Sequence, residues 1–221
     1  LSHIREVDAI IHLVRCFDSD KITHVNSKIN PVDDLETIKT EIILSDLDII
    51  QKKLEKGKKK LLDKKDVEIL EDKLKQLNNG REIVVNNKDE LKFLTTLGLL
   101  SIKPKIIVCN VDEESLAEGN SFTESIKKNY SKEKVVTICA DIEDQIMDLD
   151  NNERETFMKE IGLNKTGLNQ LIKEGYELLN LDTFFTSGPE ESRAWTGERN
   201  TPAPKSARGI HPDLEQRFFG A

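Results

Sequence analysis

Three short apolar runs, far apart in the chain, constrain the fold more than any other feature. They are Asp8–Phe17 (DAIIHLVRCF), Lys105–Cys109 (KIIVC, entered through Pro104) and Lys134–Ala140 (KVVTICA), each with several β-branched members. Such runs read as strands buried on both faces. The helical stretches between them supply the crossover connections that parallel strands need, so the expected fold is α/β with a parallel sheet. Each run ends in a small or polar cluster: Cys16-Phe17-Asp18, Cys109-Asn110-Val111 and Cys139-Ala140-Asp141. Open α/β sheets bind ligands beyond the carboxyl ends of their strands, which makes these clusters the expected site.

Between the first two runs the sequence changes character. From Asp33 to about Asn79 it is dense in Leu, Ile, Lys, Glu and Asp. Leu35, Ile38, Ile42, Leu47 and Leu54 keep a helical spacing, as do Val67, Leu70, Leu74 and Leu77. Pro31 with Asp33-Asp34 starts the first helix, Asn78-Asn79-Gly80 stops the second, and Lys56-Gly57-Lys58-Lys59-Lys60 separates them. The pattern predicts two long antiparallel helices with a basic tip. A third helix, about Lys88 to Leu97, returns the chain to the sheet. Thr166 is expected to cap a helix over Gly167–Leu179, with Leu168, Leu171, Ile172, Tyr176 and Leu179 on one face. From Leu181 to Ala221 the composition shifts toward Pro, Gly, Phe and Trp, as in a small separate β-rich module.

Composition narrows the function classes. The 221 residues carry 41 acidic and 33 basic side chains, a net charge of −8, with 37% hydrophobic and 5% aromatic content. This balance suits a soluble intracellular protein and disfavours one that coats nucleic acid over its whole surface, while leaving room for a local basic patch. No apolar run approaches the ~18 residues of a membrane span. Cys16, Cys109 and Cys139 are an odd number, widely spaced and without CxxC pairing, so free thiols are expected rather than a disulfide framework or a zinc site. His3, His12, His24 and His211 have no partner at metal-ligand spacing, and His12 reads as a core residue. The chain opens at Leu1 within a patterned stretch, as part of something longer.

The strongest site candidate is Asn110-Val111-Asp112-Glu113 at the end of the second strand. GTP-binding proteins place N-K-x-D there: the Asn amide reaches purine N7, the Lys stem covers the ring, and the Asp carboxylate accepts from guanine N1–H and the 2-amino group. Here Val111 replaces the Lys and Glu113 the Asp. Adenine has an acceptor at N1 and no 2-amino group, so a carboxylate facing that edge gains nothing. Asn110 can still hold N7, and a main-chain carbonyl near Val111 can accept from the 6-amino group. Cys139-Ala140-Asp141 ends the next strand, where such proteins put a loop whose backbone N–H lies against the base. The bland alternative is an ordinary strand-to-helix turn.

At this point a family resemblance becomes specific. Leu1–Phe17, Asn30-Pro31-Val32-Asp33-Asp34, Asn110-Val111-Asp112-Glu113, Thr183-Phe184-Phe185-Thr186 and Arg193-Ala194-Trp195-Thr196 are similar to segments of the YchF-type Obg-like ATPases. The resemblance implies a Ras-like P-loop NTPase domain of OBG type, present in part over 1–32 and 99–180. It also implies a helical hairpin inserted over 33–98 and a truncated β-grasp TGS domain over 181–221. It further implies ATP binding and hydrolysis, with GTP weaker, and association with the ribosome or a ribosomal subunit in the cytoplasm. Asn110, Val111, Glu113, Cys139 and Ala140 would bind the nucleotide.

No G-x-x-x-x-G-K-[ST] occurs in the sequence. The phosphate loop, both switches and the Mg2+ ligands of the family are therefore expected before Leu1, with no catalytic residue or metal ligand in this chain. Gly162-Leu163-Asn164-Lys165-Thr166-Gly167 mimics part of a phosphate loop but reads as a helix cap. The basic tip, with Lys56, Lys58, Lys59 and Lys60 at its centre, is the candidate RNA or ribosome contact. Arg193, Trp195, Arg199, Lys205 and Arg208 form a second such set. Neither a membrane nor a specific DNA sequence is expected as a partner. The competing readings are a GTPase, and a non-catalytic ribosome- or RNA-binding module switched by nucleotide.

Overall fold

β2 (Lys105–Asn110) is the axis of the sheet, and its sequence explains why: Ile106, Ile107, Val108 and Cys109 are all buried, two on each face. In the computed structural model, which describes residues 3–19, 29–59 and 62–216, β2 is flanked in parallel by β1 (Ile10–Arg15) and β3 (Lys134–Ile138), in the order β1-β2-β3. The register pairs Arg15 with Asn110 and Asn110 with Ile138, so the three carboxyl ends lie level. Val14, Ile107 and Cys109 cover one face with Leu35 and Ile126.

β1 corrects the expectation of a strand buried on both faces. Ile10 and Val14 are buried, but Ile11 and Leu13 are 54% and 62% exposed. Within the described sheet β1 has a strand partner on one side only. An apolar run records the capacity to be covered; neighbours decide whether both faces are.

The insertion forms a helical arm. α1 (Pro31–Lys59) and α2 (Lys64–Asn78) pack through Ile43, Ile50, Leu70 and Leu77, and α3 (Lys88–Thr96) adds Leu94. Gly57 does not end α1, which continues to Lys59. A Cβ at position 57 would collide with the Leu62 side chain, so this glycine permits a close approach where the sequence suggested a break. Gly80 and Gly98, at φ +69° and +66°, terminate α2 and α3 in the left-handed region that glycine favours.

Two buried polar groups fasten the arm. Asp46, with no exposed surface, accepts from Leu100 N (2.9 Å), Ser101 N (2.8 Å) and Ser101 Oγ (2.7 Å). Arg5 lies 3.7 Å from it and donates to Ser45 Oγ (2.5 Å) and the Gly98 carbonyl (2.6 Å). In α2, buried Lys73 pairs with Glu90 (2.5 Å) and Asp72 (2.9 Å) and donates to the Val84 carbonyl (2.8 Å). Burial opposes the Lys73 charge, yet its two carboxylate contacts hold the ammonium above its ordinary range.

α4 (Ser121–Asn129) leads to β3, and α5 (Ala140–Asp148) and α6 (Asn151–Glu160) follow it, joined through Cys139, Ile142, Ile146 and Phe157. α7 (Gly167–Leu178) begins against the sheet: a Cβ on Gly167 would lie 2.6 Å from the Ile138 side chain. The Glu143 carboxylate accepts from Gly167 N (2.5 Å) and Leu168 N (3.3 Å), a cap from another helix that local sequence could not announce.

The chain divides into two compact units, Leu1–Leu168 and Asn169–Ala221, the division falling inside α7. In the second, β4 (Leu181–Ser187) and β5 (Ser192–Glu198) form an antiparallel hairpin. Asn180, just before β4, and Asn200, after β5, take positive φ (+54° and +62°), a conformation in which Asn is enriched among residues other than glycine. Composition suggested a β-rich module, but the hairpin is followed by two short helices, α8 (Ala203–Arg208) and α9 (Pro212–Gln216).

Candidate functional site

The level strand ends form a corner whose polar groups are interlocked. At the end of β2 the Asn110 carbonyl accepts from Cys16 N (2.7 Å), and its side-chain Oδ1 accepts from Ala140 N (3.0 Å). Val111 is buried and donates its N–H to the Ile138 carbonyl (2.8 Å). Asn110, Val111, Cys139 and Ala140, predicted separately from two strand ends, thus come together.

The loop after Val111 is folded on itself. Asp112 Oδ1 accepts from Ser115 N (2.9 Å), and Gly119 N donates to the Ser115 carbonyl (2.8 Å). Glu113 sits exposed in this loop, close enough for its charge to act on the Cys139 thiol. Burial is the main force on that thiol and pushes its pKa up, while the N–H groups of Ile142 and Asp141 oppose the rise. The loop closes at Asn120, which sequence reading passed over; its only signal was a helix-capping residue after Gly119.

The chemistry of the corner follows from what remains unspent. With Oδ1 occupied by Ala140, the Asn110 amide nitrogen has no protein acceptor among the described residues and is a donor for a ring nitrogen. Asp112, Glu113, Glu114 and Asp141 are all exposed here. Such a set of carboxylates repels phosphate and favours a neutral, donor-bearing group such as a base.

Cys16, Cys109 and Cys139 are free and buried. A hydrogen bond to Cys109, together with burial, drives the Cys16 thiol far up. Half-buried His12 has its pKa lowered by burial and by Lys105, against the opposing charge of Glu82. Among the described residues no group of three or more His, Cys, Asp or Glu is placed to hold a metal ion.

The basic tip is only partly described. Lys56 is exposed at the end of α1 and Lys64 and Lys65 at the start of α2, while Lys52 is paired with Asp48 (2.7 Å). Lys60 and the side chains of Lys58 and Lys59 lie outside the described residues. In the second unit, Arg193 stacks over Trp195 (4.3 Å), whose indole N–H donates to Thr186 Oγ1 (2.9 Å). Arg199 and Arg208 are paired with Asp182 (3.1 Å) and Glu215 (3.4 Å). No helix among the described residues is long and apolar enough to cross a membrane.

A parallel sheet with level carboxyl ends, interrupted between its first two strands by a helical arm, defines a Ras-like α/β nucleotide-binding fold. Comparison with known proteins makes the assignment particular. Residues 181–221 match the family model YchF-GTPase_C, described as a protein of unknown function (DUF933). Proteins called Ribosome-binding ATPase YchF from Escherichia coli O157:H7 and Bacillus subtilis (strain 168) are each 41% identical to it. Both alignments cover 100% of this chain and 63% of the relative. The structure of the Schizosaccharomyces pombe YchF GTPase superimposes with a TM-score of 0.84 at 29% identity, over 97% of this chain and 61% of that one. Over its whole length the chain is similar to YchF proteins, and it spans about 63% of the length of the curated relatives it matches.

Proposed function

We propose that the protein binds ATP in preference to GTP and hydrolyses it in association with the ribosome, and that this chain reads the base. The observation that carries the reading is the Asn110–Ala140 hydrogen bond, which fixes the amide so that its nitrogen is the free donor. Purine N7 is the matching acceptor. A main-chain carbonyl near Val111 takes the 6-amino group, and Cys139 and Ala140 close the pocket behind the ring. Glu113 stays in the exposed loop, because adenine offers its carboxylate nothing at N1. Hydrolysis of the β–γ bond proceeds by positioning and charge stabilisation rather than covalent chemistry, with Mg2+ and the phosphate-holding groups outside the residues described.

In this reading 1–32 and 99–180 are the nucleotide-binding part, 33–98 the arm and 181–221 a TGS portion. Lys56, Lys58, Lys59 and Lys60 meet ribosomal RNA phosphates, and the protein works in the cytoplasm. The relatives are named for ATP and ribosomes, whereas the solved neighbour is titled a GTPase. Base chemistry at Val111 and Glu113 favours the first.

Titrating the full-length protein with ATP and with GTP at one magnesium concentration tests the reading. ATP is expected to bind more tightly, and Glu113→Asp combined with Val111→Lys should move selectivity toward GTP. A clear GTP preference in the parent refutes it.

A further inference from the structure

Helix capping accounts for only half of what the Asn120 side chain does. Its Oδ1 accepts from Phe122 N and Thr123 N (both 3.1 Å), and Thr123 Oγ1 reciprocates by accepting from Asn120 N (2.8 Å). Those bonds complete the cap of α4 and need only an acceptor, so Asp would serve as well. The Nδ2 group is surplus to capping. It donates to the Cys16 carbonyl (2.7 Å), 104 residues away in sequence, and to Ser115 Oγ (3.2 Å).

Both acceptors belong to the base-reading corner. Both main-chain polar groups of Cys16 are held: its carbonyl by Asn120, and its N–H by the Asn110 carbonyl at 2.7 Å. Asn110 is in turn bound through its side chain to Ala140. One chain of hydrogen bonds therefore runs Asn120, Cys16, Asn110, Ala140 across the ends of the sheet. Ser115, the other acceptor, is the internal anchor of the loop that carries Glu113, since it also binds Asp112 and Gly119. The approach is tight: at Gly119, φ +81°, a Cβ would lie 2.6 Å from Thr123 Oγ1.

We propose that Asn120 is a positioning residue for base discrimination, its amide nitrogen fixing the Glu113 loop relative to Asn110. It touches no ligand itself. The inference rests on the base-reading role of the corner. The geometry assigns to one side chain both the separation of the Glu113 loop from the base-holding Asn110 and the start of α4. A small error in that separation changes which purine edge is satisfied, whereas the phosphates, held elsewhere, are indifferent to it.

Asn120→Asp separates the two roles, because it keeps the cap and removes both donors. In the full-length protein, ATP affinity should fall about three- to tenfold, the cost of one or two neutral hydrogen bonds, and the ATP-over-GTP ratio should narrow. Affinity for inorganic tripolyphosphate, which has no base, should not change. Ser115→Ala, which leaves the cap and the Cys16 bond intact, should narrow the ratio in the same direction by less, and it carries the test if Asn120→Asp does not fold. An unchanged ratio in the folded variants overturns the positioning role. A parent protein with no preference for ATP overturns the base reading instead, before any variant is made.

Discussion

The strand-end corner and the base of the helical arm are built from the same kinds of polar side chain, used in opposite ways. At the arm's base Asp46 is fully buried and both oxygens are occupied, by two main-chain N–H groups and the Ser101 hydroxyl. At the corner Asn110 is half-buried and commits its oxygen alone. A polar group with every valence spent is architecture. One held rigidly by half its valences, at the end of a buried strand, is prepared for a ligand.

The sharpest way to break this comparison is to remove Asp46. Asp46→Ala leaves the Leu100 and Ser101 donors buried without an acceptor and Arg5 without its carboxylate. It should cost about 3–5 kcal/mol in urea unfolding. A loss below about 1 kcal/mol would mean that water reaches the site and that the fastening is not structural.

Lys73→Met should come next, at about 3 kcal/mol, since it strands Glu90 in the core of the arm. Adding Glu90→Leu should recover most of the loss, because a buried pair replaced by apolar residues is close to neutral. The pH dependence separates the two states further. Burial works against the Glu90 charge, but Lys73 and Asn86 hold its pKa below the ordinary 4.5. Its stabilisation is thus present above pH 4.5 and lost as pH falls through the lowered value. The parent should lose stability more steeply than the double variant in an acid titration below pH 4.5.

The smallest effect on stability belongs to the arm's tip. Eight lysines stand against two acids between Lys52 and Lys65. Neutralising Lys56, Lys58, Lys59 and Lys60 should leave nucleotide affinity and melting temperature unchanged. It should weaken ribosome association and lower the slope of log affinity against log salt by roughly one unit per phosphate contact removed. Sedimentation with ribosomes equal to the parent's at every salt concentration would show the tip to be a solvated turn.

Legibility in the sequence followed how local each cause is. The run Lys105–Cys109 announced a strand buried on both faces because its burial needs no alternation. The arm was readable from its spacing, and Asn110 with Ala140 from their places at strand ends. Ile11 and Leu13 were misjudged because their exposure depends on what lies beside β1. Gly57 was misjudged because Leu62 closes over it. Asp46 and Lys73 carried no mark in the sequence, and only the packing of distant segments buries them. Asn120 carried the mark of a helix start, and nothing nearby in sequence pointed to its bond with Cys16.

The Arg5 and Asp46 fastening also has a mechanical consequence. At 1.5 Å per residue, α1 reaches about 20 Å beyond Asp46 to its end at Lys59. Arg5, just ahead of β1, grips that helix at Ser45 and the turn after α3 at Gly98. The grip is a fulcrum close to the sheet, and the lysine-bearing end is the long side of a lever. By that geometry, a tilt of about 10° at the fulcrum carries the far end ~3.5 Å sideways, more than the length of a hydrogen bond.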